Sequence, residues 1–159
     1  MQVRIPLVIG LALALGGCPS SASMFELPSI PGVRAGRVDE RDRVTQVLDD
    51  IHRGIEQRRV FKVLAHLSRT YFDEEGRDYD TMRNLVTTWL KDYREIRVTR
   101  PRPRVVVQGD RARAIETFGL QAKPVNPNDD RMVALQGQLT VHLERMGNTW
   151  QIVSVSPVQ

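Results

Sequence analysis

The chain has few of the residues on which disulfide-rich proteins and metalloproteins depend. Its 159 residues include one cysteine, three histidines and two tryptophans, and aromatic residues make up 6% of the total. A single cysteine excludes an intramolecular disulfide, so the fold must depend on an apolar core. His52, His66 and His142 are dispersed, with no pair four residues apart, and no glycine-rich phosphate loop occurs. We therefore expect neither a metal nor a cofactor.

Long apolar runs are also scarce, and the one that stands out is at the N-terminus. Arg4 precedes the apolar run from Ile5 to Leu15, and Gly16-Gly17 then precede Cys18. This run is shorter than the roughly 20 residues of a membrane-spanning helix. It indicates a targeting segment and not a transmembrane helix.

The same residues resemble a bacterial lipoprotein signal peptide with its lipobox. The resemblance implies cleavage before Cys18, loss of residues 1–17 and a lipid on the cysteine sulfur. Two or three acyl chains on one cysteine would hold the protein firmly at a membrane, whereas one chain holds only marginally. Pro19 stands where an aspartate would indicate retention in the inner membrane, so the expected location is the cell envelope, with the outer membrane favoured. An ordinary secretory signal followed by a chance cysteine is the alternative.

The rest of the chain divides into a tether and one domain. Residues 18–38 are rich in proline, serine and glycine, which predicts a flexible spacer after the lipidated cysteine. Residues 39–159 have the length of one compact domain. The formal net charge is +4, and it falls to +3 without Arg4. A charge of this size is not a nucleic-acid footprint, so we expect no nucleic-acid partner.

The first half of the domain has a helical period. Apolar spacing predicts a helix from Asp39 to about Arg58, a short helix beginning near Val60, and a third helix with Asp80 as its N-cap. The apolar positions expected to face the core are Val44, Val47, Leu48, Ile51 and Ile55, then Val60, Phe61, Leu64 and Leu67, and finally Met82, Leu85, Val86, Trp89 and Leu90.

The second half changes to a period of two, which predicts a meander of antiparallel strands. Gly109-Asp110 and Gly147-Asn148 mark two of its turns. One strand face is expected to hold Ala112, Ala114, Glu116, Phe118, Leu120 and Ala122, and the next strand's Leu135, Gly137, Leu139, Val141 and Leu143. Helices followed by such a sheet indicate an α+β fold.

Residues 40–156 resemble the nuclear transport factor 2-like superfamily, which includes SnoaL-like and ketosteroid-isomerase-like proteins. The resemblance rests on the helix order, on Gly109-Asp110-Arg111-Ala112-Arg113-Ala114 and on Gly147-Asn148-Thr149-Trp150-Gln151-Ile152. It implies a cone-shaped, cystatin-like fold in which three N-terminal helices pack in a curved antiparallel sheet around a pocket. The superfamily includes enzymes, carriers and scaffolds, so the fold does not select a function.

Glu116 is the first candidate for a functional residue. A carboxylate on an otherwise apolar strand face is suited to acid–base chemistry if that face lines the pocket. Ketosteroid isomerases of the superfamily combine a carboxylate with a tyrosine–acid pair, and Tyr71 and Tyr93 are weaker candidates for such a partner. The alternative is structural, with Glu116 paired to an arginine such as Arg97 or lying at an open rim.

Arg100, Arg102 and Arg104 alternate with prolines and form a second candidate site. Three guanidinium groups on one side of an extended segment are suited to binding anions, such as headgroup phosphates or an acidic envelope polymer. The alternative is protection of a sheet edge, because proline and charge both discourage strand pairing.

These patterns favour a membrane-anchored envelope lipoprotein with a non-catalytic domain that binds a ligand or a protein. Its partners would be the membrane, through Cys18, and an envelope protein or a small apolar molecule; a homodimer through the sheet also stays open. The alternatives are a small pocket enzyme with isomerase- or hydrolase-like chemistry at Glu116, and a carrier of a small apolar molecule.

Overall fold

The structure, a computed structural model, describes residues 39–129 and 131–158. The signal peptide, Cys18 and the tether lie outside the described residues. The elements in chain order are α1 (Glu40–Glu56), α2 (Val60–Leu64), α3 (Tyr79–Asp92), β1 (Tyr93–Thr99), β2 (Arg104–Gln108), β3 (Arg111–Pro124), β4 (Val133–Met146) and β5 (Thr149–Pro157).

Local chemistry explains where α1 begins. The Asp39 side chain accepts a hydrogen bond from the backbone N–H of Arg41 at 3.0 Å, and Glu40 and Asp42 lie in the first turn. Acidic groups at this end interact favourably with the helix dipole. Val44 and Leu48 are fully buried, as the helical period predicts.

Three of the finer predictions are wrong. The N-cap of α3 is Asp78 and not Asp80, because the Asp78 carboxylate accepts from the Thr81 N–H at 2.8 Å and Asp80 already lies inside the helix. Phe61 is 89% exposed, Leu85 49% and Leu135 53%. Phe61 and Leu85 lie at helix positions that the sheet does not cover. Leu135 shares the strand face of Leu139 and Leu143, as predicted, but it lies near the start of β4, where that face is exposed.

The five strands form one antiparallel sheet in the order β1-β3-β4-β5, and β2 also pairs with β3. β1 pairs with the C-terminal half of β3, whereas β2 pairs with its N-terminal half. The segment between β1 and β2, which contains Pro101 and Pro103, therefore runs along the same edge of β3, beside residues 116–118. Gly109 and Gly147 have φ values of +60° and +63°, which explains the glycines in the two tight turns.

Apolar side chains fill the space between the helices and one face of the sheet, here called the inner face. Two clusters are present: one joins α1 to β3, β4 and β5 around Leu48, Leu143 and Trp150, and the other joins α2 and α3 to β1 around Leu90 and Ile96. The edge of β5 is covered, because Ile152 exchanges backbone hydrogen bonds with His66 and Ser68 at 2.8 and 2.9 Å. Within the described residues, no helix is long and apolar enough to cross a membrane.

Candidate functional site

Glu116 lies on the inner face near the middle of β3. Its register partner on β4 is Leu139, and its neighbours on the same face of β3 are Ala114 and Phe118. The side chain is only 7% exposed. A carboxylate buried to this extent requires hydrogen-bonding or charged partners to offset its lost hydration.

Two side chains from different elements supply those partners. His52 Nε2, from α1, lies 3.2 and 3.3 Å from the two Glu116 carboxylate oxygens. Arg100, which directly follows β1, donates from Nη1 to Glu116 Oε1 at 3.2 Å, and its side chain is 13% exposed. Glu116 therefore lies in a buried ion pair with Arg100 and in a hydrogen bond with His52.

The histidine contact defines one tautomer. A carboxylate only accepts hydrogen bonds, so Nε2 of His52 is the protonated nitrogen and donates a hydrogen bond to Glu116. Nδ1 of His52 is buried and has no hydrogen-bond partner among the described residues.

Arg100 also joins Glu116 to helix α1. Its Nη2 donates to Asp49 of α1, and Arg102 donates to Asp42, about two turns closer to the start of the same helix, at 2.6 Å. Two ion pairs thus hold residues 100–103, here called the strap, against α1. Arg104 is the first residue of β2 and takes part in neither pair.

The two tyrosine candidates lie in other surroundings and do not contact Glu116. The buried Tyr71 hydroxyl donates to Asp73 Oδ2 at 2.7 Å, and Arg77 Nε donates to the same oxygen at 2.8 Å. Burial raises the pKa of Tyr71, and its hydrogen bond to Asp73 raises it further. Burial alone would raise the pKa of Asp73, but hydrogen bonds from Tyr71 and Arg77 outweigh it and lower that pKa below 3.8. Tyr93 instead packs on Trp89, with ring centroids 5.1 Å apart.

Five surface crevices lie among the described residues, and Glu116 lines none of them. One, of about 560 Å³, lies between α1 and the strap and is lined by Asp42, Asp49, Arg100 and Arg102. Three more lie along the sheet and one beside the β4–β5 turn. Neither Glu116 nor the candidate tyrosines line any of these five. In the part of the chain that the structure describes, no three metal-binding side chains come together.

His52 and Asp49 are the members of this cluster that sequence reasoning missed. They lie three residues apart on α1, the spacing that brings two side chains onto one side of a helix. The sequence did contain a signal for this cluster. It was a histidine and an aspartate beside the buried stripe of α1, together with an arginine-proline segment later in the chain. Nothing in the local sequence placed Arg100, rather than Arg97, beside Glu116.

The fold is shared with many solved structures. A nuclear transport factor 2-like superfamily protein from Salmonella enterica serovar Typhimurium matches with a TM-score of 0.62 and 16% identity, over 75% of this chain and 92% of that one. A type 2 hexachlorocyclohexane dehydrochlorinase, LinA, matches with a TM-score of 0.62 and 14% identity, over 77% of this chain and 91% of that one. A protein of unknown function with a cystatin-like fold, from Nostoc punctiforme, matches with a TM-score of 0.57 and 12% identity, over 76% of this chain and 90% of that one.

No protein-family model matches the sequence, and no curated protein matches it either. Identities of 12–16% to the solved structures establish the fold and do not transfer an activity. The comparisons and the topology together confirm the predicted α+β architecture: the described domain has the nuclear transport factor 2-like, cystatin-like fold.

Proposed function

We propose that this chain is a lipid-anchored protein of the bacterial envelope whose domain binds a partner without catalysing a reaction. The proposal has two parts, a cellular location, here called the address, and an activity. The address rests on the sequence of residues 1–18, and the activity rests on the surroundings of Glu116.

The address follows from the lipobox-like residues before Cys18. Cleavage there would leave a lipidated cysteine, a spacer of about 20 residues and the domain. A flexible spacer of that length has a root-mean-square span of roughly 25 Å. The domain would therefore reach partners close to the membrane surface, and Pro19 favours the outer membrane.

The ion pair between Glu116 and Arg100 is the observation that carries the non-catalytic part. A general base needs a lone pair aimed at a substrate and room for that substrate. The Glu116 carboxylate instead faces Arg100 and His52, and it lines none of the crevices described above. Its arrangement is that of a group that ties β3, α1 and the strap together.

A second candidate is an acid–base enzyme that uses the His52–Glu116 pair. The 3.2 Å contact between His52 Nε2 and Glu116 favours it, because a carboxylate that orients an imidazole is a common catalytic unit. Catalysis would require the strap to move and carry Arg100 away from Glu116. One structural neighbour is a hexachlorocyclohexane dehydrochlorinase, which makes that compound a reasonable test substrate.

Fractionation of bacterial cells tests the address. The wild-type chain should sediment with membranes, and Cys18→Ser should move it to the soluble fraction because no sulfur remains to carry lipid. Ser21→Ala, three residues further along the spacer, is the matched control and should stay with the membranes. A Cys18→Ser chain that still sediments with membranes contradicts lipid anchoring.

Turnover measurements separate the two candidate activities. We expect no dechlorination of hexachlorocyclohexane by the wild-type chain above the level of Glu116→Gln. Turnover that disappears in a folded Glu116→Gln variant would contradict the non-catalytic proposal and favour the second candidate. Circular dichroism of both chains verifies that the comparison is between folded proteins.

A further inference from the structure

The outer face of the sheet, the face turned away from the helices, has an unusual composition. Its described positions on β3 and β4 alternate with the core residues and are mostly amide, hydroxyl or small side chains. They are Arg113, Ile115, Thr117, Gly119 and Gln121 on β3, and Ala134, Gln136, Gln138, Thr140 and His142 on β4. Carboxylates and the large aromatic side chains of phenylalanine, tyrosine and tryptophan are absent from these ten positions.

Cations border this polar strip on the strands that pair with β3. Arg97 of β1 lies opposite Gln121, and Arg104 of β2 lies opposite Ile115. Arg97, Arg104 and Arg113 are all exposed, and none has an ion-pair partner within 4.0 Å among the described residues. This contrasts with Arg100 and Arg102, whose charges are balanced by Asp49, Glu116 and Asp42.

The few acids nearby are already paired. Glu144 contacts Arg111 at 3.4 Å, and Glu95 contacts Lys123 at 2.6 Å and Arg94 at 3.5 Å. The outer face therefore has excess positive charge at both ends of a neutral, hydrogen-bonding strip. A second copy of the chain docked on this face would bring like charges together, so the face is poorly suited to a homodimer.

The dimensions of the strip also bear on the occupant. Eight residues separate Arg113 from Gln121, which is about 27 Å along an extended strand, and the paired strands give a width of roughly 15 Å. The resulting area of about 400 Å² is half of what one partner buries in a standard protein interface. An elongated surface of this size, without aromatic anchors, fits a thin extended polymer better than a globular partner.

We infer that the outer face binds an acidic polysaccharide, a hydroxyl-rich chain that carries carboxylates. The planar guanidinium groups of Arg97, Arg104 and Arg113 would pair with carboxylates. The glutamine and threonine side chains of the strip both donate and accept hydrogen bonds, as sugar hydroxyls require. This inference specifies the partner class of the proposed non-catalytic domain and so rests on that proposal.

The test is binding of the full chain, in a polyoxyethylene detergent, to immobilised polygalacturonate at low salt. We expect wild-type binding that weakens as salt rises, because exposed charge pairs are screened. The combined variant Arg97→Gln, Arg104→Gln and Arg113→Gln should bind about tenfold or more weakly. A matched variant with Arg41→Gln, Arg59→Gln and Lys91→Gln removes the same charge from exposed helix and helix-cap positions and should bind within about twofold of wild type.

Several outcomes would overturn the inference. If the two triple variants lose equal affinity for polygalacturonate, then net charge, and not this face, drives binding. Equal binding to neutral dextran would remove the role of carboxylates. Binding to vesicles with 30% phosphatidylglycerol but not to polygalacturonate would assign the face to a membrane. Absence of all binding by a chain that still depends on Cys18 for membrane association would overturn this inference and leave the anchored domain intact.

Discussion

At the scale of single residues, the central feature is a buried charge that the fold balances internally. Glu116 and Arg100 are both largely desolvated, and Asp49 holds the second nitrogen of the same guanidinium. Replacing a buried ion pair as a unit can be nearly neutral, whereas removing one partner leaves the other charge buried and unpaired. The pair therefore specifies the position of the strap more than it adds to stability.

Removing Arg100 alone should consequently destabilise the domain. We expect Arg100→Met to lower the free energy of unfolding by about 2–4 kcal/mol, because Glu116 keeps only its contact with His52. The double variant Arg100→Met/Glu116→Met should be more stable than Arg100→Met. Arg102→Gln, which breaks an ion pair at a side chain that is 75% exposed, should change stability by less than about 1 kcal/mol. Urea unfolding measures all four chains, and equal losses from Arg100→Met and Arg102→Gln would contradict the buried-pair argument.

The buried Asp73 provides a pH-dependent test of a second network. The lowered pKa of Asp73 means that the native state favours the ionised carboxylate. Its contribution to stability is therefore fully present above the pKa of the unfolded state, near 3.8. That contribution is lost as the pH falls through the lower pKa of the native state. Asp73→Asn should cost about 2 kcal/mol near neutral pH. The difference in the free energy of unfolding between Asp73→Asn and wild type should become smaller below about pH 4. Asp129→Asn is the comparison: a hydrogen bond from Arg131 also lowers the pKa of Asp129, but water screens this surface pair, so the loss of stability should be smaller than for Asp73→Asn. A stability difference between Asp73→Asn and wild type that does not change with pH would contradict this account.

At the scale of the elements, periodicity predicts helices and strands better than it predicts their surroundings. The period of 3.6 located α1 because Val44, Val47, Leu48 and Ile51 all pack on the sheet. It placed Phe61 and Leu85 in the core incorrectly, because an apolar side chain at a helical spacing says nothing about whether another element covers it. Similarly, the charge of Glu116 was visible in the sequence, but its partner depends on where the strap lies along the edge of β3.

The contact between α1 and α2 depends on a glycine. Gly54 is buried, and a Cβ atom there would lie 2.9 Å from Cγ2 of Val63 and 3.3 Å from the Val63 backbone nitrogen. Alanine would favour the helix by up to about 1 kcal/mol. The steric clash should outweigh that gain, because Val63 is short and stiff and belongs to the core.

We therefore expect Gly54→Ala to lower the midpoint of thermal unfolding. In a Val63→Ala background the same substitution should do less harm, since the clashing methyl is gone. Calorimetry of the four chains of this cycle measures the coupling. A Gly54→Ala variant that is more stable than wild type would mean that the two helices separate readily and that their close approach is unimportant.

At the scale of the whole molecule, the fold was predictable and the activity was not. A helical half followed by a period-two half, with turns at Gly109-Asp110 and Gly147-Asn148, is enough to indicate an α+β cone, and structural neighbours confirm it. The same cone is found in enzymes and in proteins of unknown function, so the fold alone leaves the activity open. The distinction depends on whether the inner carboxylate faces a substrate or an arginine, which sequence spacing does not encode.

Native mass spectrometry of the chain purified from bacterial membranes tests the central proposal most directly. The account predicts a protein that begins at Cys18, carries diacylglyceryl and acyl groups, and holds no additional small molecule in the domain. A chain that retains residues 1–17, or a mature chain without lipid, would contradict the anchoring. A stoichiometric small molecule that is lost in Glu116→Gln would contradict the assignment of Glu116 to an internal ion pair and would make the cone a binding pocket.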